Sequence, residues 1–551
     1  MTRYVGMDLG ISTKHKAVVM DGTERRGKPF AVEVSRDGFE ELLTRAGEGS
    51  DGPATIVMEP TGLAWVPVAA YLSAAGHQVH LAKPQKVSHL RKFLKQHTKS
   101  DVIDAEANAR LPQVDPDGVH KLELPTPDQM ALRRLVKRRE RMAQEGADQK
   151  RRVHALMVMV NPPLMAALGD SAFSRPARSF YRKYADPEPV AKMGREKLRQ
   201  FWDKHNRGPV DEKLIDRIVT SCAITTDLYA ELRRNQKLPF EYADIQDELR
   251  AELDWMEQAE QQVERLNESI KSVYDRCDPD HTLEQIRGIG TIIAAAIEAL
   301  VANVLRFHNG RQFVSYSGLC PRKRQSGQSD PPLPITKCGQ RLLKKYFYLA
   351  ADVARHWDAE FAAYYARRYA RGDHHNLIMI ALARKMALRV YALLKRRDLA
   401  RHAGSPQSKA SFVLRDPATG NTVDKTQARA LVVENYTRAA ANPERNKRER
   451  ARRSVKAQGT GLAKEEWPSK DATSQHAVPD SQITHTPDGG NNSAFVRAVE
   501  HGTTRGGGWF SIADILSQWA KVVSVEKPVD SQRKNCEQTS LPSLKFAKKR
   551  S

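Results

Sequence analysis

The sequence predicts an α/β domain followed by two all-α regions and a disordered tail, and three observations carry that prediction. Short apolar runs alternate with helical patterns from Arg3 to about Leu111. Apolar residues then recur at helical spacing up to about Arg397, and after Asp398 the composition turns to Pro, Gly, Ser, Asn and Gln. The 551 residues are 40% hydrophobic and 28% charged, which excludes collagen-like and wholly low-complexity chains.

Residues 4–9 and 17–20 read as strands on either side of the turn at 10–16, and residues 30–34 as a third strand after Asp21-Gly22. The three form an antiparallel meander. A helix over 39–46, a strand over 54–58, a helix over 63–75, a strand over 78–82 and further helices give a β-β-β-α-β-α-β-α order. That order is the one found in ribonuclease H-like folds, and it places a domain over residues 1–125.

Residues 126–280 read as helical and very basic, with Met142, Val153, Leu156 and Val160 as an apolar series. Leu249, Leu253, Met256, Ala259, Val263, Leu266, Ile270 and Val273 recur at alternating steps of three and four. This seam predicts a coiled coil, within the chain or between chains, with one amphipathic helix on a globular core as the alternative. A third region, 281–398, opens on Ile286-Arg287-Gly288-Ile289-Gly290 and continues in helical patterns over 340–357, 359–371 and 375–397. A G-x-G turn leading into a helix suits a helix-hairpin-helix element, whose N–H groups near Gly288 and Gly290 can hold a nucleic-acid phosphate. Residues 399–551 read as a largely disordered basic and polar tail, with one short amphipathic piece at Ile512, Ile515, Leu516 and Trp519.

The net charge of +23 points to a polyanionic partner, nucleic acid first and an anionic membrane surface second. Met1 to Gly6 lacks the charged and apolar segments of a signal peptide. Glu298 and Arg384-Lys385 interrupt the longest apolar stretches, so no membrane span is expected and the location is read as cytoplasmic. Cys222, Cys277, Cys320, Cys338 and Cys536 show no C-x-x-C spacing, which argues against a zinc site and a disulfide framework.

Two constellations carry chemistry. Asp8 ends the first apolar strand and Glu59 another, while Asp101 and Asp104, at i and i+3, share one helix face. Carboxylates brought together at strand ends repel and are best neutralised by a divalent cation. Four of them suggest a two-Mg²⁺ site for phosphoryl transfer, against the alternative that Asp8 opens a turn and Asp101 and Asp104 only cap a helix. The second is the loop 316–329, where Arg322, Lys323 and Arg324 precede Ser326-Gly327, and Lys344 and Lys345 follow. These cations suit a phosphodiester, and spacing alone does not separate a serine nucleophile from a phosphate-clamping loop.

Five separated motifs then resemble one family: Asp8-Leu9-Gly10, Met58-Glu59-Pro60-Thr61-Gly62, the segment from Lys99 to Ala105, Arg287-Gly288-Ile289-Gly290, and Tyr316-Ser317-Gly318-Leu319 through Gln325-Ser326-Gly327. The chain is similar over residues 3 to 397 to the insertion-sequence-one-ten family of transposases, which includes the Piv-type DNA invertases. The resemblance implies a RuvC-like nuclease domain whose acidic tetrad, Asp8, Glu59, Asp101 and Asp104, binds Mg²⁺. It also implies a C-terminal transposase domain whose nucleophilic serine is Ser326, attacking DNA through a covalent phosphoserine. As partners it implies DNA, a structured bridge RNA and a second copy of the chain, in a dimer or tetramer acting at the nucleoid. The tail after Asp398 matches no motif of the family.

Two other readings meet the same residues. Residues 8–13 resemble the first phosphate loop of sugar kinases and actin-like ATPases, but no second D-x-G phosphate turn follows. A non-enzymatic helix-hairpin-helix DNA-binding protein explains the charge and leaves four acids in a basic protein unaccounted for.

Overall fold

The structure, a computed structural model, describes residues 3–49, 52–94, 98, 100–322, 335–404 and 413–440. The chain divides into two compact units, one of residues up to Ala131 with Ala302–His308, the other of Leu132–Val301 with the chain from Asn309 onward. The first unit therefore runs a few residues beyond 125 and takes back a short later segment.

The first unit is mixed α/β, built on a six-stranded sheet of order β3-β2-β1-β4-β5-β6. Its strands are β1 (Arg3–Asp8), β2 (His15–Asp21), β3 (Glu24–Val32), β4 (Thr55–Met58), β5 (Gln78–Ala82) and β6 (Val119–Lys121). β1 pairs antiparallel with β2 and parallel with β4, β4 pairs parallel with β5, and β6 returns antiparallel along β5. β3 starts earlier than its apolar residues predict, because Gly22, at φ +57°, turns the chain within two residues and the ladder resumes at once. The helices are α1 (Arg36–Gly47), α2 (Trp65–Ala74), α3 (Pro84–Leu94) and α4 (Asp101–Val114). Val5, Met7, Ile56 and Met58 face the core that holds Phe39 of α1 and Val68 and Leu72 of α2. Val57 packs on the other face with Leu90 of α3 and Ala107 and Leu111 of α4. Both faces of the parallel strands are thus covered, which is why they read as continuous apolar runs.

The second unit is helical. It contains α5 (Pro127–Val160) from Leu132 on, α6 (Leu164–Leu168), α7 (Arg175–Tyr181), α8 (Glu188–Met193), α9 (Arg195–His205), α10 (Glu212–Arg234) and α11 (Tyr242–Cys277). There follow α12 (Thr291–Val301), α13 (Gly310–Tyr316), α14 (Arg341–Trp357), α15 (Ala359–Ala370), α16 (His375–His402) and α17 (Lys425–Ala440). Along α5 and α11 the contacts run in opposite senses. Arg139 donates to Asn267 at 2.6 Å, Gly146 faces Ala259, and Arg152 pairs with Glu252 at 3.4 Å. The two long helices are therefore antiparallel neighbours. Leu249, Leu253, Met256, Ala259, Leu266 and Ile270 are buried, and the first three belong to a core shared with Leu198, Trp202 and Ile218.

A buried ionic network joins α11, α12 and α16. Glu298, 3% exposed, accepts two hydrogen bonds from Arg397 at 2.9 and 3.1 Å. Asp278, fully buried, accepts from Arg401 at 2.9 Å and from the Thr282 amide at 2.8 Å.

Part of the segment from residue 399, expected to be largely disordered, is helical. α16 continues to His402, and Ala428, Val432, Tyr436 and Ala439 of α17 are buried. α17 packs on α14 and α15, and the Tyr436 hydroxyl donates to the Arg355 carbonyl at 3.1 Å. Its apolar residues stand three or four apart on one face, so a polar segment still folds onto the bundle. The amphipathic piece near Ile512 and the rest of the tail lie outside the described residues. No helix among the described residues is long and apolar enough to cross a membrane. Of the cysteines described, all four are free thiols, and burial pushes that of Cys222 up to about 12.

Candidate active site

The ends of β1 and β4 set the first site. Met7 pairs with Met58 in the parallel ladder, and Asp8 and Glu59 are the next residues along the two chains. Side chains alternate along a strand. Tyr4 packs on the core beneath α4, and Val57 does the same in β4, which places Asp8 and Glu59 on that face too. Both are half-buried. Pro60 has no N–H to continue the ladder, and the Thr61 amide donates to the Glu59 carbonyl at 2.8 Å, with Gly62 at φ +54°. The chain therefore turns away directly after Glu59, leaving it at the sheet's end.

α4 brings the second pair of acids. Ser100 caps it, accepting from the Ile103 amide at 3.4 Å, and Asp101 and Asp104 fall in its first turn, where the helix dipole favours negative charge. Gly6 lets this helix lie against β1. A methyl group there would stand 2.0 Å from the Ala105 carbonyl oxygen and 2.4 Å from the Ala109 nitrogen. Asn108, buried, donates from Nδ2 to the Met7 carbonyl at 2.9 Å. Asp104 lies one helical turn before Asn108, and Asp8 one residue after Met7. The first turn of α4, with Asp101 and Asp104, thus lies toward the end of β1 that carries Asp8.

Three residues near these acids escape a reading of the sequence. Arg91 of α3 reaches Asp104 at 3.3 Å, with both side chains mostly buried. Lys16 stands directly opposite Asp8 in the antiparallel ladder and, by alternation, on the same face. Asn108 is the third. A lone Asn in an alanine-rich helix, a Lys at a strand start and an Arg in a basic helix carry no motif that singles them out.

Hard oxygen donors at a sheet end fit a divalent cation such as Mg²⁺. Among the described residues, no three His, Cys, Asp or Glu side chains converge closely enough to hold one as they stand. Asn108 Oδ1 is buried with no hydrogen-bond partner among the described residues.

The second constellation lies in the helical unit. Gly288, at φ +93°, is pressed against α14, where a methyl group would meet the Ala350 carbonyl oxygen at 2.2 Å. Gly290 is exposed, and its carbonyl accepts from the Ala294 amide at 2.9 Å as α12 begins. The element before this turn is one short 3₁₀ stretch, Thr282–Gln285, rather than a full first helix. Pro321 bridges Ile335, and the Thr336 amide donates to the Cys320 carbonyl at 3.0 Å, closing the base of the loop between them. Ser326, Lys323 and Arg324 lie outside the described residues. Arg322 is exposed at the lip. Lys344 donates to the Thr336 carbonyl at 3.1 Å, and Lys345 pairs with Glu140 at 2.5 Å, so both have partners within the chain. Ser317 is fully buried and donates to the Phe313 carbonyl at 2.9 Å, which removes it as a rival nucleophile.

Comparison with known proteins gives a concordant result. Residues 5–162 match a family described as "Transposase", of the DEDD and IS110 type, and residues 280–366 match "Transposase IS116/IS110/IS902 family". An uncharacterised 43.6 kDa protein of insertion element IS110 from Streptomyces coelicolor is 22% identical over 396 residues, covering 71% of this chain and 94% of that protein. The transposase for insertion sequence element IS1328 from Yersinia enterocolitica is 23% identical, covering 70% of this chain and 94% of its own. The transposase for insertion sequence element IS1111A from Coxiella burnetii is 28% identical over 134 residues, which is 24% of this chain and 37% of that protein.

Proposed function

The chain belongs to the IS110 family of transposases, and on that footing we propose that it cuts and rejoins DNA with a Mg²⁺-bound acidic tetrad and a serine nucleophile. The observation that supports the reading is the parallel pairing of Met7 with Met58, the residues directly before Asp8 and Glu59, in strands whose Tyr4 and Val57 lie on the face that α4 covers. The strand order, with β1 central and β2 antiparallel to it, supports a ribonuclease H-like fold for this unit.

Asp8, Glu59, Asp101 and Asp104 are the residues that would hold the cation. When bound, Mg²⁺ supplies Lewis-acid stabilisation of charge developing on phosphate oxygens. Arg91 holds Asp104 in place until then, and Lys16 offers a cation to the phosphate beside Asp8. In the other unit, the Ser326 hydroxyl attacks phosphorus. The serine O–P bond forms as the bond from phosphorus to the leaving deoxyribose oxygen breaks, and the serine proton passes to a base or solvent. A second DNA hydroxyl then displaces the serine, so that rejoining requires no ATP. Arg322, Lys323 and Arg324 offset the phosphate charge, and the N–H groups near Gly288 and Gly290 serve the DNA backbone.

A structured guide RNA and self-association belong to the same proposal and rest on the family likeness, with the net charge of +23 suiting a nucleic-acid-bound chain acting at the nucleoid. The sugar-kinase reading gains no support, since both family matches are to transposases. The deciding experiment is recombination of supercoiled plasmid in the presence of Mg²⁺ and the element's own RNA. Asp8→Ala is expected to abolish strand exchange while nucleic-acid binding survives, and Ser326→Ala to abolish a covalent protein–DNA adduct trapped on a nicked substrate. Recombination by both variants at wild-type level would end the reading.

A further inference from the structure

Asn108 is a polar side chain in an otherwise apolar part of the core. Its neighbours in the core beneath α4 are Ala105, Ala107, Ala109 and Leu111, and its side chain is fully buried. Nδ2 donates to the Met7 carbonyl at 2.9 Å. The orientation is fixed by chemistry, because the carbonyl accepts only from the N–H₂ end. Oδ1 is then left buried without a donor among the described residues. An alanine or leucine would remove the orphaned oxygen but also the donor to Met7, so what the amide provides is its tie to β1.

Its place gives the account. The hydrogen bond ends on the residue before Asp8, and it starts one helical turn after Asp104. It is a direct tie from the helix that carries Asp101 and Asp104 to the strand that carries Asp8. The close seat of α4 on Gly6 brings the two elements together. A directional hydrogen bond fixes the register between them.

We propose that Asn108 is a positioning residue of the acidic site, setting the separation of Asp104 and Asp8 that divalent-cation binding requires. This rests on the reading of the four acids as cation ligands. Outer partners that orient ligands typically govern metal affinity by about 10- to 100-fold.

The test uses the full-length protein and Mg²⁺ alone, followed by isothermal titration calorimetry, with thermal melting of the cation-free protein alongside. Asn108→Leu is expected to remain folded, with a cooperative melt, and to bind Mg²⁺ about tenfold more weakly. Asn108→Ala, which suits an alanine-rich helix, provides the same comparison should leucine overfill the site. Asp8→Asn serves as the control without a ligand carboxylate. A folded Asn108 variant that binds Mg²⁺ as tightly as wild type overturns the positioning role and leaves the acidic site standing. Wild type and Asp8→Asn giving the same titration overturns both readings.

Discussion

Gly6→Ala is the sharpest test of how the first unit positions its acids. The added methyl would lie 2.0 Å from the Ala105 carbonyl oxygen, where ordinary contact begins at 3.4 Å. The clash is with backbone, so no rotamer change relieves it. Ala109→Gly would remove only the third-nearest contact, at 2.9 Å, and is not expected to rescue. α4 must therefore retreat from β1 by more than about 1 Å. Overpacking of this kind costs roughly 1–3 kcal/mol, a loss that a domain of this size can survive. Function is predicted to suffer more. Ala105 adjoins Asp104, and a misplacement of about 1 Å in a catalytic group costs on the order of 100-fold in rate. The assay pairs a thermal melt with Mg²⁺-dependent strand exchange on supercoiled plasmid. A variant that melts a few degrees lower yet recombines at the wild-type rate would refute the claim that this helix seat sets the acids.

Two further outcomes follow from the buried charges. Arg397→Met strands the Glu298 carboxylate, which burial already pushes up, and breaking such a pair is expected to cost about 3–5 kcal/mol in denaturant unfolding. The double variant with Glu298→Met should recover most of that loss, and a single variant as stable as wild type would show that the network contributes nothing. Burial holds His120, His356 and His375 down to about 4, so the folded chain binds fewer protons than the unfolded one between that value and about 6.5. Stability from these histidines is present above about pH 6.5 and is lost as pH falls toward 4. Melting temperature should already decline between pH 6.5 and 5, above the range of ordinary carboxylates, and a flat profile there would contradict the assignment.

The sheet was legible because its strands are apolar runs bounded by turn residues, and Asp8 and Glu59 could be placed at strand ends from residue order alone. Other features depend on distant partners. β6 is three residues long and has meaning only beside β5. The seam on α11 announces an apolar partner without naming it, since the matching residues on α5 are interrupted by Arg138, Arg139, Arg141, Lys150, Arg151 and Arg152. α17 was hidden by polar neighbours, although Ala428, Val432, Tyr436 and Ala439 share one face.

The acidic site shows why four carboxylates in a sequence do not by themselves define a centre. Asp8 and Glu59 directly follow the paired Met7 and Met58, and a one-step slip of that register would turn one of the two strands' side chains to the opposite face. Asp101 and Asp104 reach that end of the sheet only because small residues, Gly6 against Ala105 and Ala109, let α4 approach β1 closely. The residues that determine the geometry are thus a glycine, two alanines and one asparagine, none of which has chemistry of its own to attract notice. Substitutions at these four positions should separate folding from activity more cleanly than substitutions of the acids, because they alter the spacing while every carboxylate remains.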